Sequence, residues 1–180
     1  MSNDLAKRIL TDIKVELSDE FDRNFQRKAF FDKPWEKRTR NGRGTLLAVT
    51  NRLRRSFRGS VGRNAVSWRS DAPYAAIHNN GGKIPITPRM RSFFWAMHYK
   101  HAGMVTTTKT GKASKSQRNT MLSDEALFYR NMALTKKEEF IIPQRQIVGN
   151  HPKVKQIVDK VANQAIKEYA EKKLMPILRK

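Results

Sequence analysis

The chain has 180 residues, 37 Lys and Arg against 16 Asp and Glu, a formal net charge of +21 and no Cys. That length suits one domain able to bury roughly 70% of its unfolded surface, and the lack of Cys excludes disulfides, thiolate metal sites, iron–sulfur clusters and Cys nucleophiles. No apolar run approaches the roughly 18 residues of a membrane span, and the opening MSNDLAKRIL lacks the blocks of a secretory signal, so a protein made in the cytoplasm with no membrane partner is expected.

Leu5, Ile9, Ile13, Leu17, Phe21 and Phe25 fall at i+4 steps. They form one apolar stripe of a helix within residues 1–30, with Ser2 or Asn3 available as its cap. Leu46, Val49, Leu53 and Phe57 give a short helical period behind Thr45. Residues 58–69 read as a hairpin, with Gly62-Arg63-Asn64 as turn and Val66 and Trp68 alternating with Ser67 and Arg69. Pro73 to His78 resembles one or two helical turns halted by Gly81-Gly82. Met90, Phe93, Phe94 and Met97 follow helical spacing again. Residues 104–120, rich in Thr, Ser and Lys, lack the apolar surface to offset their ordering entropy and read as a flexible basic loop. Phe128, Arg130, Met132 and Leu134 alternate as in a strand. A final helix over 151–174 is capped by Asn150, carries Pro152 in its first turn and ends at Pro176.

From Lys37 to Ser123 the chain carries 18 Lys and Arg and one acid, Asp71, so +17 of the +21 lies in this span. The two ends mix signs, as ordinary amphipathic helices do. The middle is where an anion would be met.

Catalysis finds little support. General acid–base work needs a His or carboxylate beside a partner, yet residues 72–123 hold no carboxylate and no motif pairs His78, His98, His101 or His151. His98 and His101 stand three apart without the Cys or carboxylates that would complete a tetrahedral metal site. Gly42-Arg43-Gly44 and Gly81-Gly82-Lys83 match neither a Walker A loop nor a dinucleotide fingerprint. No enzyme activity, metal or cofactor is expected. Nucleic-acid binding is better supported, through residues 37–69 gripping phosphates. Arg38, Arg40, Arg43, Arg52, Arg54, Arg55 and Arg58 are the candidate anion-facing residues, and Trp35, Trp68 and Trp95 are either base-stacking or core.

Four short motifs occur in order: Thr50-Asn51-Arg52-Leu53-Arg54-Arg55-Ser56; Val66-Ser67-Trp68; Pro73-Tyr74-Ala75-Ala76-Ile77-His78-Asn79-Asn80-Gly81-Gly82; and Ile142-Pro143-Gln144-Arg145-Gln146-Ile147-Val148-Gly149. Together they resemble the virion-morphogenesis, or tail-completion, family of tailed phages, over about residues 45–99 and 128–172. Asn51 stands where that family often has Gly, and Ile147 where an aromatic is frequent. The resemblance implies an α+β fold, a small antiparallel sheet flanked by terminal helices with a long polar loop. It also implies a structural role at the head–tail junction, as a homo-oligomeric ring, a hexamer by resemblance, that docks on neck or connector, tail-terminator or tail-tube proteins with DNA passing nearby. Within the motifs, Tyr74, His78 and Arg145 are the candidate interface or fold-holding residues, Arg145 being suited to clamp a carboxylate or carbonyl.

Overall fold

The computed structural model describes residues 2–38 and 46–174. The side chains of the expected caps Ser2 and Asn3 are not described, and Arg40, Gly42, Arg43, Gly44, Thr45 and Pro176 lie outside the described residues. The fold is α+β, with six α-helices and three two-stranded antiparallel ladders among the described residues. The sequence reads as one domain; the chain divides into two compact units, residues 1–82 with 142–180, and the inserted residues 83–141.

In the first unit, helix α1 (Ser2–Arg27) turns its stripe inward. Ile13, Leu17 and Phe21 are buried with Phe30 and Phe31, and Ile157, Val158 and Val161 of helix α6 (Pro152–Tyr169) pack against them. A fully buried Leu or Phe contributes about 1.5–3 kcal/mol, whereas the exposed ion pairs along α1 contribute about 0–1 kcal/mol each. Apolar phase therefore sets how α1 lies. A two-residue ladder, β1 (Ala29–Phe30) with β2 (Lys33–Pro34), reverses the chain after α1. Helix α2 (Arg52–Ser56) is shorter than the period from Leu46 to Phe57 suggests; Val49 is exposed, and Asn51 precedes the helix in a left-handed backbone at φ 55°, without a side-chain cap hydrogen bond. Strands β3 (Phe57–Val61) and β4 (Val66–Ser70) form the expected hairpin. Helix α3 (Ala75–Asn80) ends at Gly81 as the Gly pair indicates.

Trp35 is buried against Phe25, and Trp68 meets Phe21 edge-on at 5.2 Å, its indole N–H donating to Ser18 Oγ at 3.0 Å. Both are core residues, which removes them from base stacking. The cap of α6 is His151, one residue after the Asn150 expected: its Nδ1 accepts from the Lys153 amide at 3.2 Å. An accepting Nδ1 places the ring proton on Nε2, which lies 2.9 Å from Asp32 Oδ1.

The second unit lies between β5 (Gly82–Pro85) and β6 (Glu139–Ile142), which form the third ladder. Its body is a pair of helices, α4 (Pro88–Gly103) and α5 (Gln117–Leu134), capped by Thr87 and Ser116. The strand expected from Phe128 to Leu134 is the C-terminal half of α5. Its alternation is accidental; Ala126, Tyr129 and Ala133 carry the helical phase, with Ala126 and Ala133 buried. Arg91 of α4 donates to the carbonyls of Ala133 at 2.9 Å and Thr135 at 2.7 Å, satisfying acceptors that the end of α5 leaves open.

The polar stretch 104–120 is organised as well. Residues 117–120 are the first turn of α5, and Thr107 bridges Ala113 across a turn closed by Thr108 N–H to Lys112 O at 2.7 Å. Buried Asn119 holds this turn, its amide donating to Thr106 O and Ser114 O, both at 2.8 Å, and accepting from the Thr106 amide at 3.2 Å. One polar side chain thus does what the missing apolar residues cannot. Replacing Asn119 by Ala is expected to raise the exchange rate of the Thr106 amide about tenfold or more in a hydrogen-exchange measurement, while the amides of α1 keep theirs.

Candidate functional site

The motif residues converge in the first unit, where the irregular segment 143–149 runs beside α1, α3 and the residues after β2. This segment has no strand partner, so its buried polar groups need others. The Arg145 amide donates to His78 O at 2.8 Å. Asn79 Oδ1 accepts from the amides of Ile147 at 2.8 Å and Val148 at 3.0 Å. Asn24 of α1, fully buried, donates to Ile147 O at 3.0 Å and accepts from the Phe31 amide at 3.1 Å. The Trp35 indole donates to Gln146 O at 2.7 Å. Three side chains and one backbone pair thus seat the segment, and the Ile147 side chain, 1% exposed, fills the core beneath it. Gly81 permits the approach: at φ 71°, a Cβ there would stand 2.9 Å from the Gln144 nitrogen.

Each candidate interface or fold-holding residue has a definite place. Arg145 is buried, and its Nε donates to the Glu36 carbonyl at 3.0 Å. Burial lowers its pKa, opposed by Glu36 and reinforced by the Arg38 charge. Tyr74 meets the His78 ring edge-on at 6.1 Å. The Nδ1 of His78 is buried with no hydrogen-bond partner among the described residues. Asn24, Asn79 and Trp35 were not read from sequence as parts of this clasp. The signal available for Asn24 was a polar residue standing in the apolar phase of α1 between Phe21 and Phe25.

The candidate anion-facing residues separate. Arg54 donates through Nε and Nη2 to both carboxylate oxygens of Asp22 on α1, so it serves the fold as an ion-pair partner. Arg52, Arg55 and Arg58 are exposed. Arg38 precedes the stretch that contains Arg40 and Arg43, which lie outside the described residues. Arg69, which sequence reading did not single out, stands directly opposite Arg58 on the neighbouring strand.

Among the described residues no group of three or more His, Cys, Asp or Glu could hold a metal ion, and no helix is long and apolar enough to cross a membrane. What the site does physically is fasten one stretch of main chain to another. That is the chemistry of a structural module. The chain belongs to the phage virion morphogenesis family, whose family model matches residues 6–167. Membership carries a part in the structure or assembly of the phage virion, and with it association with other virion proteins. No curated protein and no solved structure matches the chain.

Two outcomes follow from this geometry. Asn79→Ala strands two amide donors, at about 1–3 kcal/mol each, so chemical denaturation should show a loss of about 2 kcal/mol or more, whereas Asn79→Asp, which keeps an acceptor oxygen, should lose clearly less. Burial, joined by the charge of Arg145, holds the His78 pKa below its ordinary value. Below about pH 6.5 the unfolded chain takes up a proton here that the folded chain resists, so the stability present above that value is lost as pH falls. The drop in Tm between about pH 7.5 and 5.5 should therefore be smaller in His78→Gln than in the wild type.

Proposed function

We infer that the protein is a structural component of the phage head–tail junction, completing the neck or tail end as a homo-oligomeric ring. It acts by binding and performs no catalysis. Its neighbours are neck or connector, tail-terminator or tail-tube proteins, and the ring that the family resemblance suggests has six subunits. Tyr74, His78 and Arg145 serve this role by holding the fold on which docking surfaces are displayed.

The observation that carries the reading is the family match over residues 6–167. The distribution of apolar surface supports it. Helix α4 contains no buried residue, and Phe93, Tyr99, Met121, Leu127 and Leu134 of the α4–α5 pair are exposed. Several large apolar side chains left exposed on a small module are what a partner protein would cover. Cryo-electron microscopy of virions tests the reading directly: density for this chain is expected as a closed ring between head and tail, and its absence from virions, or density elsewhere, overturns it.

A further inference from the structure

The outward face of the β3–β4 ribbon is chemically uniform. Phe57, Gly59 and Val61, with Val66, Trp68 and Ser70, are half-buried on one side, while Arg58, Ser60, Ser67 and Arg69 are exposed on the other. Arg58 and Arg69 are register partners, so two guanidiniums rise from Cβ atoms about 5 Å apart, an arrangement that like-charge repulsion disfavours unless an anion lies between them. Neither forms an ion pair or side-chain hydrogen bond among the described residues. Beside them, Ser60 and Ser67 link their hydroxyls across the ribbon at 3.0 Å. Arg55, on the side of α2 away from buried Leu53 and Ser56, and Arg63 in the ribbon's turn are exposed as well.

Two classes of macromolecule carry the anions this face needs. A protein interface is organised around apolar or aromatic anchors, and this face has none, because Phe57 and Trp68 point the other way. Single-stranded nucleic acid calls for exposed aromatic rings on which bases stack, and these are missing for the same reason. Arginines and hydroxyls without an apolar centre are what phosphate oxygens engage, and a two-stranded ribbon has the dimensions to lie along a duplex groove.

We propose that the outer face of the β3–β4 ribbon, with Arg58 and Arg69 at its centre and Arg55 and Arg63 at its margins, binds the sugar–phosphate backbone of double-stranded DNA without reading its sequence. The proposal deepens the head–tail reading and rests on it for the source of the DNA. Binding itself belongs to the free protein.

The test is fluorescence anisotropy of a labelled random-sequence duplex with the purified full chain, between about 50 and 200 mM salt. Removing two phosphate contacts lowers the slope of log K against log salt by about 1.8, so Arg58→Ser/Arg69→Ser should lose about twelvefold less affinity across that range than the wild type. Arg58→Lys/Arg69→Lys should keep the wild-type slope. Lys109→Ser/Lys112→Ser removes the same charge from the turn before α5 and should also keep it. Circular dichroism should show all variants folded, since every substituted side chain is exposed. The proposal is overturned if the two Ser variants have the same slope, or if the wild type binds no duplex. It is also overturned if the ribbon variant keeps DNA binding while failing to enter virions, which would give the face to an acidic protein. Ribbon-dependent DNA binding with no density at the neck overturns the position in the virion alone.

Discussion

The fold of the first unit depends on how the chain disposes of one awkward stretch of backbone. Residues 143–149 are irregular, pass close to the core and have no strand to pair with, so each buried amide and carbonyl would cost about 1–3 kcal/mol if left open. Asn24, Asn79 and Trp35 meet them one by one, and His78 supplies a carbonyl. Because Asn24 also receives the Phe31 amide, the same side chain fixes the reversal after α1. Helix, reversal and irregular segment are therefore set together. Ile147 can be inserted into the core only because the polar groups on either side of it are satisfied.

The cationic excess, seen against this frame, is not one feature. Arg54 is held against Asp22 and Arg145 against a backbone carbonyl, and in the inserted unit Arg91 closes the end of a helix. These three guanidiniums are internal fittings, and in Arg54 and Arg91 the rigid fork of donors reaches more than one acceptor. Arg55, Arg58, Arg63 and Arg69 are instead exposed, and on the β3–β4 ribbon Arg58 and Arg69 face each other without counter-charge among the described residues. Net charge alone does not separate the two uses; position on the strand or helix does.

Much of the architecture was legible because it rests on periodicity. The i+4 stripe of α1, the alternation of the β3–β4 hairpin and the Gly81 stop of α3 each express one local rule, and Asn51 takes the left-handed conformation that its resemblance to a family glycine calls for. Pattern and structure part where a short stretch fits two periods. Phe128, Arg130, Met132 and Leu134 alternate, but the residues that face the neighbouring helix are Ala126, Tyr129 and Ala133, two of them small and silent in a hydropathy reading. Residues 104–116 gave no sign of order because a single Asn, buried by its neighbours, supplies it. The clasp was hidden for a related reason: motifs located Tyr74, His78 and Arg145, whereas Asn24 and Trp35 act across more than a hundred residues of sequence. Such pairings are properties of the folded chain and leave little local trace.

The interruption of the first unit by residues 83–141 imposes an order on synthesis. Asn24 leaves the ribosome early, yet its carbonyl partner on Ile147 lies 123 positions later. Before that residue emerges, Phe21 can already meet Phe30, Phe31 and Trp68, but the Asn24 amide lacks its carbonyl and the core around Phe25 lacks Ile147. The inserted helices, whose contacts are local, can therefore be complete before Ile147 is available to close the clasp.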